Sequence, residues 1–438
     1  MTKNIVERAG VVAFVVLMAG SGGVAAQTIA AQTIFSQTER WTLESAAQRV
    51  LQQAPERHIS EAEVKAREGE LLQAGVWPNP TVELGASDAL GKEDGQGGTD
   101  VNQFSIRQPL PLSGRLGLQG KRAEANLKQA EAELGQQALL LEYEAARVFH
   151  SLQLNRAQLR LAEQRLESAD EFRHIGRRRE QAGDLSRLER LRLDVVRESA
   201  RQLIATAEGE YSESLADFQT LLNLAGAEPE LMLLEHPPAL PALAELEARL
   251  ELHPTLLAAR QAAEATRHGV GVARANRFAD PEVWLARERD FFGERRQDTT
   301  ALGVAVTLPL WDRGKGNIDA AQAARQKAQF ELEALQRRHG NQLRLSHLHL
   351  SHLIEQVQEY RVNVLEPAEE IFQLTRKGFA AGQVEILNLV DAVDTYFDAR
   401  GRYLELLQEA WLEAAGLRRA AGISVLASQS QISEGAAP

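Results

Sequence analysis

From Gly114 to about Arg179 the chain contains no proline, and small or apolar residues recur every seven positions. Leu127, Leu134, Leu141 and Val148 make one row, continued by Asn155, Ala162 and Ala169; Ala138, Ala145, Leu152, Leu159 and Leu166 make a second. Two such rows are the seam of a coiled coil. At ~1.5 Å per residue the helix reaches roughly 100 Å. A compact domain does not hold an element of that length, so the fold is elongated along it.

The stretch ends at an Ala182-Gly183 turn, and a helix is predicted to return from Leu185 to about Leu224. The same design recurs: a helix from Ile318 to Lys377, an Ala381-Gly382 turn, and a return from Val384 to about Ala421. Leu353, Val357, Tyr360, Val364, Ile371 and Leu374 carry the second outward seam. Pro367 lies inside it and is expected to kink the helix or remove one hydrogen bond. Other pairs share the spacing. Pro80-Thr81-Val82-Glu83-Leu84 answers Pro281-Glu282-Val283-Trp284-Leu285, and Leu110-Pro111-Leu112 answers Leu308-Pro309-Leu310. Offsets of 201, 198 and 199 in the same order read as an internal duplication of about 200 residues, spanning 27–225 and 226–423. The polar tail, 424–438, is expected to be disordered.

Ahead of each long helix the order of elements also repeats. Short helices are predicted from Leu43 to Ala54 and Ile59 to Val76, then from Leu240 to Leu252 and Thr255 to Asn276. Two strands follow each pair. Thr81 to Leu90 sets Val82, Leu84 and Ala86 against Glu83, Gly85 and Ser87; after a turn-rich loop from Gly91 to Asp100, Val101 to Leu110 sets Phe104 and Ile106 against Gln103, Ser105 and Arg107. In the second unit Thr299 to Leu308 alternates, while Arg287 and Arg289 break the apolar face of its partner, Glu282 to Phe291. Strands of about ten residues fit a soluble hairpin, and they fit equally a tilted crossing of a bilayer, which takes ~9–11. Four strands close no barrel, and hydrocarbon tolerates no open edge, so crossing strands require several copies to share one barrel.

Composition narrows the function classes. The chain has 438 residues, aromatics at 5% and a formal net charge of −12, which argues against a nucleic-acid partner. The run Arg177-Arg178-Arg179 reads as a solvated helix face. With no cysteine there is no disulfide framework, thiolate metal site or lipidated N-terminal cysteine. Residues 1–26 read as a cleavable signal: Lys3 and Arg8, an apolar run from Ala9 to Ala19, then Val24-Ala25-Ala26, with Ala30-Ala31 as a second cleavage site. No enzyme motif is present. Gly114, Gly117 and Gly120 lack the Lys-Ser/Thr of a phosphate loop, and neither His-Glu-x-x-His nor Gly-x-Ser-x-Gly occurs. His347, His349 and His352 form a cluster in which only His349 and His352 share a face at i, i+3; a solvated face and a transient metal contact are the two readings. No cofactor is expected.

The duplicated unit, Trp77-Pro78-Asn79-Pro80, Gln108-Pro109-Leu110-Pro111-Leu112-Ser113-Gly114-Arg115 and Leu308-Pro309-Leu310-Trp311-Asp312-Arg313-Gly314 together resemble the TolC-like outer membrane factor family. The last two motifs look most like its CzcC-like heavy-metal cation efflux branch. The resemblance implies a mainly α fold with a small β part. In it a homotrimer builds a twelve-stranded barrel in outer membrane lipid, four strands per protomer, above a helical tunnel in the periplasm, with the short helices and termini in a belt around the tunnel. It further implies a periplasmic adaptor (membrane fusion protein) and an inner-membrane RND transporter as partners. The family's aperture often carries Asp-x-x-Asp after the second Gly turn; here those positions read Asn388-Leu389-Val390-Asp391. One acidic ring is therefore expected at Asp391, beside a neutral Asn388. Asp394 is either a second ring or a solvated residue. Acidic rings at a neck select cations.

Adaptor contact is expected at the helix tips, at Gly183, Asp184, Leu185, Ser186, Gly382, Gln383 and Val384. The leading expectation is the exit duct of a metal-cation efflux pump. A drug or secretion duct of the same family and a soluble periplasmic coiled-coil scaffold are the alternatives.

Overall fold

A computed structural model describes residues 40–87, 100–224, 226, 229–231, 236–292 and 295–427. The signal segment, most of the loop expected from Gly91 to Asp100 and residues 428–438 lie outside the described residues. The elements run β1 (Arg40–Trp41), α1 (Leu43–Gln53), α2 (Pro55–Ala74), β2 (Thr81–Ser87), β3 (Asp100–Pro109), α3 (Arg115–Ala182) and α4 (Arg187–Leu222). They continue with β4 (Glu230–Leu231), α5 (Leu243–Arg249), α6 (Pro254–Ala275), β5 (Glu282–Phe292), β6 (Arg295–Ala305), α7 (Lys315–Tyr360), α8 (Glu366–Ala380) and α9 (Ile386–Ala420). The short strands β1 and β4 pair in parallel and join the two halves.

The long helices form much as their periodicity predicts; α3 alone has 68 residues. The proline is accommodated differently from the expectation. Residues Arg361–Leu365 form a π-helical turn between α7 and α8, and Pro367 then sits in the first turn of α8. Proline lacks an N–H and crowds the carbonyl four residues back. A π turn adds a residue to the local ring and relieves both problems while the helix carries on. At the other end, α2 starts at Pro55, four residues before the predicted start, because proline is favoured at a first helical position.

Two elements run from sheet to tip: α3, and α7 continued by α8. The remaining helices share that length end to end. Along α3, α2 packs beside the sheet-proximal part and α4 beside the distal part. Between α3 and α7, α6 fills the sheet-proximal half, and α9 fills the distal half. α2 packs on α3 and α6 on both α3 and α7, while α1 packs on α3 and α4, and α5 on α7. The middle is held by a cluster in which α1 residues Ala46, Ala47 and Val50 pack on Phe149, Leu152, Phe218 and Leu222, with Trp41 edge-on to Phe218 at 5.7 Å. Each large side chain buried there contributes about 1.5–3 kcal/mol. Ser424 to Ala427, expected in the polar tail, dock back onto α3: buried Glu142 accepts hydrogen bonds from Ser424 Oγ and Val425 N, both at 2.7 Å.

The four-stranded antiparallel sheet has the order β2-β3-β5-β6. Its register puts Val82, Ile106, Leu285 and Leu302 in one row, with Leu84 and Phe104 above and Val283 and Val304 below, all on one face. Arg287 and Arg289 lie further along the same face. Both reach Asp298 on β6 at 3.2 Å, so the break in the apolar pattern is a cross-strand ion pair. The opposite face carries Glu83, Ser105, Arg107 and Trp284. β6 ends at Ala305, short of the expected Leu308, because its register with β5 matches Glu282 to Ala305.

Among the described residues both lateral margins of the chain are left without a neighbour. On one, β2, α2 and α4 expose Val82, Leu84, Leu72, Leu188 and Val195; on the other, β6, α7 and α8 expose Leu302, Val304, Phe330, Leu345 and Ile371. Among the described residues no helix is long and apolar enough to cross a membrane.

Candidate functional site

The distal ends of the two helical hairpins stand side by side, and their local chemistry follows from the turns. α3 ends at Gly183, whose φ of +84° is the left-handed conformation that glycine adopts without steric cost. The N–H of Asp184 donates to Arg179 O at 2.8 Å and closes the last turn. Gly382, with φ +78°, does the same after α8: Gln383 N donates to Gly378 O at 2.8 Å.

The starts of the return helices differ. Ser186 and Glu189 form a reciprocal capping box on α4, with Ser186 N donating to Glu189 Oε2 at 2.8 Å and Glu189 N to Ser186 Oγ at 3.3 Å. The backbone N–H of Ser186, aided by its hydroxyl, holds the Glu189 carboxyl below the usual range. In α9 the N-cap Glu385 makes no such bond.

A single apolar cluster joins the tips. Phe172, Ile175, Leu185 and Leu193 of the first hairpin meet Phe372, Phe379, Ile386, Leu389, Val393 and Phe397 of the second. Leu185, expected at the exposed tip, is therefore core. Val384 packs half-buried against the same cluster. At Gly176 a Cβ would lie 2.3 Å from Leu193 Cδ1, so a side chain there would displace the tip of Leu193 from the α3–α4 contact. Gly183, Asp184, Ser186, Gly382 and Gln383 are exposed, as predicted.

Arg179 also departs from the expectation of a solvated face. Its guanidinium lies 5.1 Å from the centre of the Phe379 ring, and Nη1 donates to Phe379 O at 3.2 Å. It thereby satisfies a carbonyl at the C-terminus of α8, where a cation is favoured. Arg177 and Arg178 are solvated. Further ion pairs brace the tips. Arg173 and Arg190 both hold Asp194, Arg173 at 2.7 Å, and Arg376 of α8 reaches Glu171 of α3 at 2.8 Å. Hydrogen bonding from Arg173 keeps the Asp194 carboxyl below its ordinary range.

The acidic positions of α9 divide into two groups. Asn388 and Asp391 are exposed on one face of its first turns, and among the described residues no ion pair or hydrogen bond engages Asp391. Asp394 remains about half exposed while paired with Arg165 of α3. The same guanidinium holds Asp398 at 3.1 Å. Asp398 was missed, although it lies seven residues after Asp391 and so on the same helical face.

The histidines diverge. His349 Nδ1 lies 3.3 Å from Glu413 Oε2, His352 is 4.0 Å from Glu355, and His347 Nε2 is 3.0 Å from Pro241 O. Among the described residues no group of three or more His, Asp or Glu is arranged to hold a metal ion.

Comparison with known proteins places this geometry. The sequence profile of the outer membrane efflux protein family matches residues 46–224 and 246–423. The chain is 29% identical over 369 residues to the cobalt-zinc-cadmium resistance protein CzcC of Cupriavidus metallidurans, spanning 82% of this chain and 85% of that protein. It is 24% identical over 290 residues to the nickel-cobalt-cadmium resistance protein NccC of Alcaligenes xylosoxydans xylosoxydans, spanning 66% of this chain and 65% of that protein. Its fold is similar to that of CusC, with a TM-score of 0.71 at 19% identity over 89% of this chain and 96% of the other. It is also similar to that of the open-state MtrE outer membrane channel of Neisseria gonorrhoeae, with 0.71 at 18% over 87% and 89%.

Proposed function

The chain belongs to the outer membrane efflux protein family, and we propose that it is the outer membrane exit duct of a tripartite pump that expels heavy-metal cations. The family consists of transport ducts, not enzymes. The observation that carries the metal reading is the identity with a cobalt-zinc-cadmium resistance protein over more than four-fifths of both chains.

The open margins of the protomer support assembly into a homotrimer. In lipid an unpaired strand edge leaves backbone groups unsatisfied at a cost of several kcal/mol each. Both β2 and β6 are such edges, and a ring of three copies joins β6 of one to β2 of the next in a twelve-stranded barrel. The same ring covers the apolar residues of α2, α4, α7 and α8. In this reading the two family-matched stretches are the halves of a duplicated unit, 27–225 and 226–423, and residues 1–26 are the leader that exports the chain. The helices then run as a tunnel into the periplasm. An adaptor docks on the exposed tip residues Gly183, Asp184, Ser186, Gly382 and Gln383, and an inner-membrane RND transporter supplies the energy.

A strain deleted for the gene tests the cargo. Tolerance to cobalt, zinc, cadmium or nickel is expected to fall and to return with the gene on a plasmid. If drug tolerance falls instead and metal tolerance stays intact, the metal reading is wrong. Docking at the tips is tested by Gly382→Val. A β-branched residue in the left-handed region costs roughly 1–2 kcal/mol and deforms the turn, while the cluster beneath it remains. The variant is expected to assemble normally and to lose metal tolerance by severalfold; wild-type tolerance would place docking elsewhere.

A further inference from the structure

Where the sheet meets the helices, α6 ends and α7 begins side by side. Gly314 caps α7, and a Cβ on it would lie 3.9 Å from the Cα of Arg277, two residues past the end of α6. Arg277 thus stands beside Arg313 and Lys315, which flank Gly314 in sequence. Two helix ends thus set the backbone of Arg277 against the segment that carries Arg313 and Lys315, three basic residues on a chain whose net charge is −12. Among the described residues none of the three makes an ion pair. Of the carboxylates close by in sequence, Asp312 Oδ1 accepts from Gly314 N at 2.8 Å, Asp280 is paired with Arg115, and Asp319, four residues after Lys315, forms no bridge to it.

Apolar surface surrounds the cations. The Arg277 guanidinium lies 4.7 Å from the ring centre of Phe278, itself half exposed. Trp311 is 93% exposed, and Leu308 and Leu310 are exposed beside it. Val306 is exposed as well, between these residues and the exposed Leu302 and Val304 of β6. An apolar strand face that passes into exposed tryptophan and then into unpaired cations has the polarity profile of a bilayer boundary, from acyl chain through the interface to the phosphate.

We propose that Arg277, Arg313 and Lys315, with Trp311 and Phe278, form a binding site for the headgroup of an anionic phospholipid in the leaflet facing the periplasm. The phosphate sits among the three cations. The acyl chains run along Leu308, Val306 and Val304, and Trp311 lies at the level of the ester groups. The site is complete within one protomer. It rests on the reading of the sheet as membrane-spanning.

Native mass spectrometry of the full-length assembly in detergent, given equal amounts of phosphatidylglycerol and phosphatidylcholine, tests it. The wild type is expected to retain phosphatidylglycerol over phosphatidylcholine by about tenfold or more, since each cation at a membrane surface adds appreciably to anionic lipid binding. The triple variant Arg277→Gln, Arg313→Gln, Lys315→Gln is expected to bring that ratio near one. Trp311→Ser is expected to reduce retention of both lipids with the ratio preserved. A triple variant that keeps the wild-type ratio overturns the site, as does displacement of the lipid by millimolar inorganic phosphate, which would make it a free-anion site. Insertion of the wild type into vesicles, read as conductance, is scored separately: conductance without lipid preference overturns this proposal alone, and failure to insert overturns both.

Discussion

Moving the folded protein from pH 7 to pH 4 is expected to cost about 3 kcal/mol of stability through His150 alone. His150 sits on α3 in the middle of the molecule and is buried. Its Nδ1 is 2.8 Å from Gln153 Oε1, within hydrogen-bond distance. Its Nε2 has no hydrogen-bond partner. The ring lies between Phe149 and Trp411, with centroids 5.7 and 5.6 Å away. Burial among these rings pushes its pKa down to about 4. Above the unfolded value of ~6.5 both states are neutral and the residue has no pH effect. As the pH falls from there toward 4, the unfolded chain takes up a proton that the folded chain refuses, and stability is lost across that window. His150→Phe removes the difference. Denaturation of the detergent-solubilised protein at pH 7 and pH 4, wild type against variant, measures it. An equal loss in both would mean that His150 is not buried neutral.

Replacing Asp391 with alanine is expected to lower the cation preference of the conducting assembly roughly tenfold. The carboxylate is exposed and free of partners on the first turns of α9. In the proposed trimer three copies face one neck. A unit charge at 4 Å in water is worth about 1 kcal/mol to a passing cation, and about half that at twice the distance. Three together reach roughly 1.5–2 kcal/mol, a tenfold or larger enrichment. Asp398→Ala is expected to do less, because Arg165 already offsets its charge. Reversal potentials across a planar bilayer, in a salt gradient, report the preference. If Asp391→Ala leaves them unchanged, the residue lies outside the selective neck.

Of the tip, its backbone was legible and its side-chain partnerships were not. The Ala-Gly turns stand out because only a few residues accept positive φ, and both glycines adopt it. Leu185 was misplaced for the opposite reason. Its position beside a turn suggests exposure, but its burial depends on Leu193 and on the second hairpin's aromatic residues packing across from it. Arg179 and Phe379 are 200 residues apart, as nearly are Glu171 and Arg376. No periodicity within one helix announces such pairs. His150 was passed over altogether, since an isolated histidine in a helical row reads the same whether its far side meets water or Trp411.

The order of elements, the length of the helices, the two tip turns and the strand alternation were determined by the sequence alone. Each follows from short-range forces: the steric limits on φ, the missing N–H of proline, and the periods at which apolar side chains line up on a helix or a strand. What lies beside what was decided by the tertiary structure. It set α2 and α6 against α3, gave Asp394 and Asp398 to Arg165, and brought the backbone of Arg277 against the segment of Arg313 and Lys315. Those outcomes depend on distances between helices that come together only when the chain folds back on itself, and the charge of a residue takes its meaning from that neighbour.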